Sequence, residues 1–114
     1  MIRIKTKRDI CDSTMGVLQG LKKCPKMYIS GEITYTSIEN YLEGHLCALE
    51  ICLGIAIRKK IMGWFLRKIN QNDISIGFAN YVNYYYTDKS EEERIVILIE
   101  LIEDFLPSVL YDIK

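Results

Sequence analysis

The sequence predicts an all-α protein, a compact bundle of about four or five helices around a central buried helix. Apolar residues recur at spacings of three and four along most of the chain, which is the pattern of helices that bury one face. Capping-box patterns at Thr36 with Glu39 and at Ser90 with Glu93 indicate two helix starts. A length of 114 residues, 49% of them hydrophobic, and a balanced charge are typical of one folded domain, which we expect to span residues 1–114.

The central helix is predicted to run from Thr36 to Ile57 and to end near Arg58 or Lys59. Between Leu46 and Ile57, Glu50 is the only charged residue, so we expect neighbouring elements on several sides of this helix. Its apolar positions at helical spacing are Ile38, Tyr41, Leu42, Leu49, Cys52, Leu53 and Ala56.

A shorter helix and a loop are predicted before the central helix. The pair Asp12–Ser13 offers favoured N-cap residues, and apolar residues follow at helical spacing until Pro25 ends the helix. A loop is expected over Lys26–Tyr35, with Gly31 as its turn residue. Residues 1–7 alternate apolar and basic side chains, and they fit either an edge strand or an extended arm.

The chain after the central helix is predicted to contain two or three further helices. One is expected over Lys60–Asn70, where apolar residues keep helical spacing. The segment Ile74–Thr87 is ambiguous, because its isoleucines alternate as in a strand whereas its later residues suit a short helix. We expect an irregular lead into a helix there. The last helix begins at Ser90, and Pro107 is expected to end it.

The charges are balanced overall but unevenly distributed along the chain. Lys and Arg together number 15, as do Asp and Glu, so bulk electrostatics favour neither nucleic acid nor a membrane surface. Residues 1–70 hold 12 basic against 6 acidic side chains, whereas residues 71–114 hold 3 against 9. The ordinary explanation of such a split is two solvated faces of opposite sign.

The cysteines and the absence of targeting signals indicate the compartment. No secretory signal is visible, because the N-terminus alternates Ile with Arg and Lys before any long apolar run. The longest apolar stretch, Leu46–Ile57, is too short to cross a bilayer and carries Glu50. We therefore expect a cytoplasmic protein whose thiols are free and mostly buried. These thiols belong to Cys11, Cys24, Cys47 and Cys52, among which there is no CxxC pair.

Residues with catalytic chemistry are few. The only histidine, His45, lies on the same helical line as Tyr41 and Leu42, which favours a packed structural role. One histidine and four scattered thiols lack the spacing of zinc ligands. The glycines occur singly and form no phosphate-binding loop, and Gly44 and Gly54 are instead expected to mark close helix contacts. We expect no enzymatic activity, no cofactor, no metal site, and no direct binding of nucleic acid or of a membrane.

Two surface patterns are candidates for binding. Four tyrosines within residues 81–86 precede Asp88 and three glutamates, and tyrosine is enriched in interface cores because it combines a large apolar area with a polar end. Aromatic residues with acidic neighbours do not suit nucleic acid, which requires cations. The second pattern is a stripe of Glu39, Glu43 and Glu50 on the central helix. Such a stripe can do acid–base chemistry, but a solvated face or a salt-bridged rail is commoner.

A short pattern stands out in the first half of the chain. It reads Lys-Lys-Cys-Pro-Lys-Met-Tyr-Ile-Ser over residues 22–30 and continues with Ser37, Ile38, Tyr41, Leu42, Gly44 and His45. This pattern resembles that of small helical bacterial immunity proteins, those of contact-dependent growth inhibition systems and related polymorphic toxins. They show an Arg-Pro-Gly-Met-Tyr-Ile-Gly-like start and then a helix with a Gly-Tyr or Gly-His pair. This chain departs from the pattern at Cys24, Lys26 and Ser30.

A similar Pro-x-Met-Tyr-Ile run occurs in the ATPase subunit of DNA gyrase. That resemblance is set aside, because this chain lacks the Asp-x-Gly-x-Gly nucleotide motif and is too short for the ATPase domain.

The resemblance to immunity proteins implies a protein that binds a cognate toxin domain, typically a ribonuclease, and occludes its active site. A ribonuclease cleft must attract phosphates, so we expect an acidic, aromatic surface to meet it. The alternative is a nucleic-acid-associated regulatory protein that uses the basic residues of 1–70, and a small enzyme ranks third. The predicted toxin-binding residues are Tyr84, Tyr85, Tyr86, Asp88, Glu91, Glu92 and Glu93, with Glu39 and Glu43. The residues that favour the alternative are Arg58, Lys59, Lys60, Arg67 and Lys68.

Overall fold

The computed structural model describes residues 7–69 and 77–110, and all regular structure within these two stretches is helical. This confirms the predicted all-α bundle. The alternatives for residues 1–6, and the expected lead into a helix over residues 74–76, lie outside the described residues. The α-helices of the two stretches are α1 (Lys7–Lys23), α2 (Tyr35–Leu53), α3 (Ile57–Lys68), α4 (Phe78–Tyr85) and α5 (Glu91–Leu110), and a 3₁₀ helix covers Pro25–Met27.

The helix at the centre of the bundle is α5 and not the predicted Thr36 helix. α5 contacts α1, α2, α3 and α4, so its apolar residues are covered from several sides. α2 keeps one side open, because Ile51 is 80% exposed and the neighbouring Cys52 is exposed as well. α2 and α5 pack against each other. The buried side chains of α5 include Leu98, Ile99, Leu101, Ile102, Phe105 and Leu106.

The start of α2 is set by a capping box different from the predicted one. The Thr34 hydroxyl oxygen accepts the Ser37 backbone N–H at 3.1 Å, and the Ser37 hydroxyl oxygen accepts the Thr34 N–H at 2.9 Å. Two amides that the helix leaves without partners are thereby satisfied. The predicted pair Thr36 and Glu39 therefore lies inside the helix and does not cap it.

The predicted long helix from Thr36 to Ile57 is two helices, because the chain turns at Gly54. Gly54 has a φ of 67°, in the left-handed region, and its N–H donates to the Glu50 carbonyl at 2.8 Å. This is an ordinary glycine helix end, and α3 starts after it. The expectation that Gly44 and Gly54 mark close helix contacts is wrong, since among the described residues no atom of another element lies within 4 Å of a Cβ added at either position.

α1 begins earlier than predicted, and the pair Asp12–Ser13 lies in its interior. Cys11 and Thr14 are buried, so the core-facing side of α1 extends upstream of the predicted start. The Thr14 hydroxyl donates to the Ile10 carbonyl at 2.8 Å, which explains how its polar group is tolerated there. The helix ends before Pro25, as predicted.

The C-terminal half follows the prediction except at the start of α3, which lies at Ile57 and not at Lys60, and at the end of α5. A short helix, α4, lies within the ambiguous segment, and the capping box before α5 is confirmed by two hydrogen bonds of 3.2 Å between Ser90 and Glu93. Pro107 does not end α5. Proline removes one N–H donor, and the last turn stays helical while Val109 packs against the core. In the loop before α2, Gly31 has the positive φ of 93° expected of its turn residue.

The four cysteines are free, as predicted, but they are not mostly buried. Cys11 faces the core, and burial raises the pKa of its thiol. Cys24 and Cys52 are exposed, and Cys47 is half-buried. The expectation of burial fails because Cys24 lies in the connection after α1 and Cys52 lies on the open side of α2.

Candidate functional site

Three residues of the pattern that resembles immunity proteins, Tyr28, Tyr41 and His45, pack together in the structure. Tyr28 and Tyr41 pack edge to face with their ring centroids 6.1 Å apart, and Tyr41 stacks on His45 at 6.2 Å. Pro25 is the first residue of the 3₁₀ helix, and Tyr28 directly follows that helix. The Tyr28 ring then lies against Gly20, where an added Cβ would be 2.9 Å from the Tyr28 Cε2 atom. This pattern therefore fastens α1, the 3₁₀ helix and α2 together.

His45 packs at the end of this cluster, which agrees with the role predicted from its position. Its Nε2 atom is buried, and among the described residues it has no hydrogen-bond partner. Burial lowers the pKa of the imidazole, so the neutral ring is favoured.

Tyr81 and Tyr85 of α4, with Tyr86 directly after the helix, form an aromatic cluster on Phe65, and only a part of the tyrosine run faces solvent. Phe65 of α3 lies under the cluster, with ring centroids 5.9 Å from Tyr81 and 6.1 Å from Tyr85. Tyr86 packs against Tyr85 at 4.9 Å and is half-buried against the core. Tyr84 is 72% exposed and Tyr85 is 45% exposed. The surface that a partner can reach is therefore Tyr84 and the outer part of Tyr85.

The predicted acidic residues beside the tyrosines divide into two groups. The Glu91 carboxylate accepts the Tyr35 N–H at 3.0 Å and so caps α2, and the Glu93 carboxylate accepts the Ser90 N–H. The hydrogen bonds from Ser90 lower the pKa of Glu93. These two acids are used within the fold. Asp88, whose side chain is 75% exposed, and Glu92 remain accessible.

The connection between α4 and α5 is fixed by contacts that sequence reasoning missed. The Arg94 guanidinium donates to the Asn83 side-chain carbonyl and to the Ser90 backbone carbonyl. The Tyr35 hydroxyl donates to the Ala79 carbonyl at 2.7 Å, and burial raises the pKa of this phenol well above its ordinary value. No spacing in the sequence indicates the pairing of Arg94 with Asn83 or of Tyr35 with Ala79, because each joins two separate helices.

A shallow apolar patch adjoins the accessible acids on α5. Val96 is exposed, and with Ile97, Glu92, Glu93 and Lys89 it lines a groove of about 540 Å³. The exposure of Val96 could be read from the sequence, because Val96 lies four residues after Glu92 and therefore on the polar side of the helix.

Two acids of the stripe on α2, Glu43 and Glu50, form a salt-bridged rail, one of the forms expected. Glu50 accepts the Arg58 backbone N–H at 2.8 Å and the Arg58 guanidinium at 3.0 Å, and Glu43 accepts the same guanidinium at 3.3 Å. The hydrogen bonds from Arg58 lower the pKa of Glu50. Glu39 is half-buried, and burial followed by the charge of Glu43 raises its pKa. Glu43 is therefore partly neutralised, and Glu39 is poorly placed to meet a partner.

In the sequence-predicted site Glu91 and Glu93 are exposed as well, but their carboxylates are hydrogen-bonded within the fold. We define the tyrosine–acid face as Tyr84, Tyr85, Asp88 and Glu92, which lie at the end of α4, in the following turn and in the first turn of α5. Tyr86, Glu91, Glu93, Glu39 and Glu43 have intramolecular roles or are partly covered.

Within residues 7–69 and 77–110, no group of three or more His, Cys, Asp or Glu side chains could hold a metal ion. In the same stretches no helix combines the length and the apolar character needed to cross a bilayer. Comparisons of the chain with protein-family models, with curated proteins and with solved structures found no match.

Proposed function

We propose that this protein is an immunity-type inhibitor that acts in the cytoplasm by binding a cognate bacterial toxin domain, a nuclease that cleaves RNA, and occluding its active cleft. The resemblance over residues 22–45 suggests this class of protein. The observation that carries the proposal is the tyrosine–acid face, on which Tyr84 and Tyr85 are exposed next to the accessible carboxylates of Asp88 and Glu92.

The chemistry of this face suits a basic cleft. Exposed tyrosines supply contact area at a low cost in side-chain entropy, and they are frequent energetic centres of interfaces. Carboxylates beside them complement the cations that a ribonuclease places around its substrate phosphates, which speeds association and selects the partner. Tyr84 would supply apolar area, while Asp88 and Glu92 would supply the opposite charge.

The rigidity of the face supports the same proposal. Arg94 ties α5 to Asn83 of α4, and Glu91 ties the start of α5 to Tyr35 of α2. A surface held in this way loses little conformational freedom when it binds, so more of the contact energy appears as affinity.

Co-expression with the toxin domain encoded immediately upstream of this gene tests the proposal. The wild-type chain is expected to restore growth and to co-purify with the toxin. Tyr84→Ala should weaken the complex about tenfold or more, which corresponds to about 1.4 kcal/mol. Met27→Ala is the matched control, because Met27 is 78% exposed but lies in the 3₁₀ helix.

Two results would contradict the proposal. One is the absence of a complex between the wild-type chain and the upstream toxin. The other is equal affinity of the Tyr84→Ala and Met27→Ala variants when both are folded, measured by calorimetry.

A further inference from the structure

A second surface of the molecule has the opposite chemistry to the tyrosine–acid face. A groove of about 610 Å³ runs between α3 and the end of α5, and among the residues that the structure describes no acidic side chain lines it. Its lining from α3 includes Lys59, Lys60, Trp64 and Arg67, and its lining from α5 includes Phe105 and Ser108. We call this surface the basic groove.

The cations of the basic groove have no acidic partner within residues 7–69 and 77–110. Arg58 is held by Glu43 and Glu50, but among the described residues no carboxylate lies within ion-pair distance of the other cations of α3. Those other cations are Lys59, Lys60, Arg67 and Lys68. Four like charges on one twelve-residue helix repel one another, so they favour an anionic partner.

The position of two of these cations costs helix stability. Lys59 and Lys60 lie in the first turn of α3, where the helix dipole is positive and favours anions. Arg67 and Lys68, in the last turn, are placed favourably. The helix dipole therefore gives no reason for the lysines at the start of α3, whereas an anionic ligand does.

The geometry around Trp64 adds an aromatic platform to the cations. The Trp64 ring packs against Phe105 with centroids 5.5 Å apart, and the Lys68 ammonium lies 5.2 Å from the Trp64 ring centroid. Arg67 folds back along the helix, so that its Nη1 atom is 3.5 Å from a Cβ added at Gly63, inside the groove. An indole with three or four cations around it is the combination used for single-stranded nucleic acid.

We propose that the basic groove binds single-stranded nucleic acid through its phosphates, with one base stacked on Trp64. The base takes the place of Lys68 over the indole and releases that ammonium to a neighbouring phosphate. Lys59, Lys60 and Arg67 hold the adjoining phosphates. This activity uses residues distinct from the tyrosine–acid face, so it stands or fails independently of toxin binding.

The only tryptophan of the chain lies in this groove, which makes its fluorescence a local probe. Titration with a mixed-sequence RNA of about 12 nucleotides is expected to quench Trp64. With three to four phosphates neutralised, affinity should fall roughly 20- to 50-fold between 50 and 200 mM salt. Single-stranded DNA should behave similarly, because the recognition is of phosphate and base stacking.

A matched pair of charge reversals locates the binding. Lys60→Glu with Arg67→Glu should weaken RNA binding more than tenfold, measured by anisotropy of a labelled oligonucleotide. Lys23→Glu with Lys26→Glu makes the same change of net charge at exposed positions away from the groove and should change binding less than threefold. Circular dichroism checks that both variants remain folded.

Three results would overturn the proposal. They are no fluorescence change at up to about 1 mM oligonucleotide in low salt, an equal loss of affinity in both double variants, and equally tight binding of polyglutamate. The last result would assign the groove to an acidic protein surface. Protection against the toxin by the Lys60/Arg67 variant separates the two proposals, since it should be unchanged.

Discussion

At the residue scale, two glycines one turn apart on α1 have opposite surroundings. An added Cβ at Gly20 would overlap the Tyr28 ring, whereas among the described residues no atom of another element lies within 4 Å of a Cβ added at Gly16. Tyr28 is also the link between α1 and Tyr41. The absence of a side chain at Gly20 therefore allows Tyr28 to pack between α1 and Tyr41 of α2.

Substitution of these two glycines tests that assignment. Gly20→Ala should lower the free energy of unfolding by about 1–3 kcal/mol, because the Tyr28 ring must move from a packed position. Gly16→Ala should raise it by roughly 0.5–1 kcal/mol, because alanine is the better helix former and has open space there. Urea unfolding of both variants measures the difference. Equal effects of the same sign would contradict the close packing of Tyr28 on Gly20.

At the element scale, Glu50 joins α2 to α3 across the turn at Gly54. Its carboxylate caps α3 through the Arg58 backbone N–H and also holds the Arg58 guanidinium. Glu43 touches only the guanidinium, at 3.3 Å, and is more exposed. One acid therefore stabilises a helix start, while the other makes a surface ion pair.

Removal of each carboxylate separates these two roles. Glu50→Ala should cost about 2 kcal/mol of stability, because a charged cap and its hydrogen bonds are lost. Glu43→Ala should cost less than about 1 kcal/mol. Because the folded pKa of Glu50 lies below 4.5, its contribution is present above pH 4.5 and is lost as pH falls through the folded value. Thermal melts at several pH values check both points, and similar losses in the two variants would contradict the capping role.

Most of the helices could be predicted because their ends depend on residues that are neighbours in the chain. Features that depend on contacts between distant residues could not be predicted. The Ser90 capping box and the stop before Pro25 depend on neighbouring residues, so the sequence displays them. The end of α2 at Gly54 was hidden, because apolar residues continue the helical spacing beyond it. The choice between Thr34 and Thr36 as the N-cap of α2 also depends on neighbouring residues. The sequence did not decide it, because each threonine is followed three residues later by a side chain that can complete a capping box.

The candidate site shows the same division. The grouping of tyrosines and acids around Asp88 was visible in the sequence. Which acids are hydrogen-bonded within the fold was not, since Glu91 accepts the backbone N–H of Tyr35, 56 residues away in the chain. The sequence likewise shows the cations of the basic groove but not its aromatic part, because Phe105 packs against Trp64 from another helix.

At the scale of the whole molecule, a net charge of zero conceals two surfaces of opposite sign. The accessible acids lie at the start of α5, and the basic groove lies beside its end. α5 has 20 residues, so a straight helix would separate its ends by about 30 Å. That distance exceeds the screening length of about 8 Å at physiological salt, so each surface acts on its own partner.

The association rate of the toxin with two charge-reversed variants tests the central claim most directly. Asp88→Lys with Glu92→Lys should slow association about tenfold or more at low salt, with the difference shrinking at high salt as the charges are screened. Glu32→Lys with Asp104→Lys changes the net charge equally at exposed positions outside the tyrosine–acid face and should have a much smaller effect. Stopped-flow rates that fall equally in both folded variants, or in neither, would contradict the assignment of the tyrosine–acid face as the toxin-binding surface.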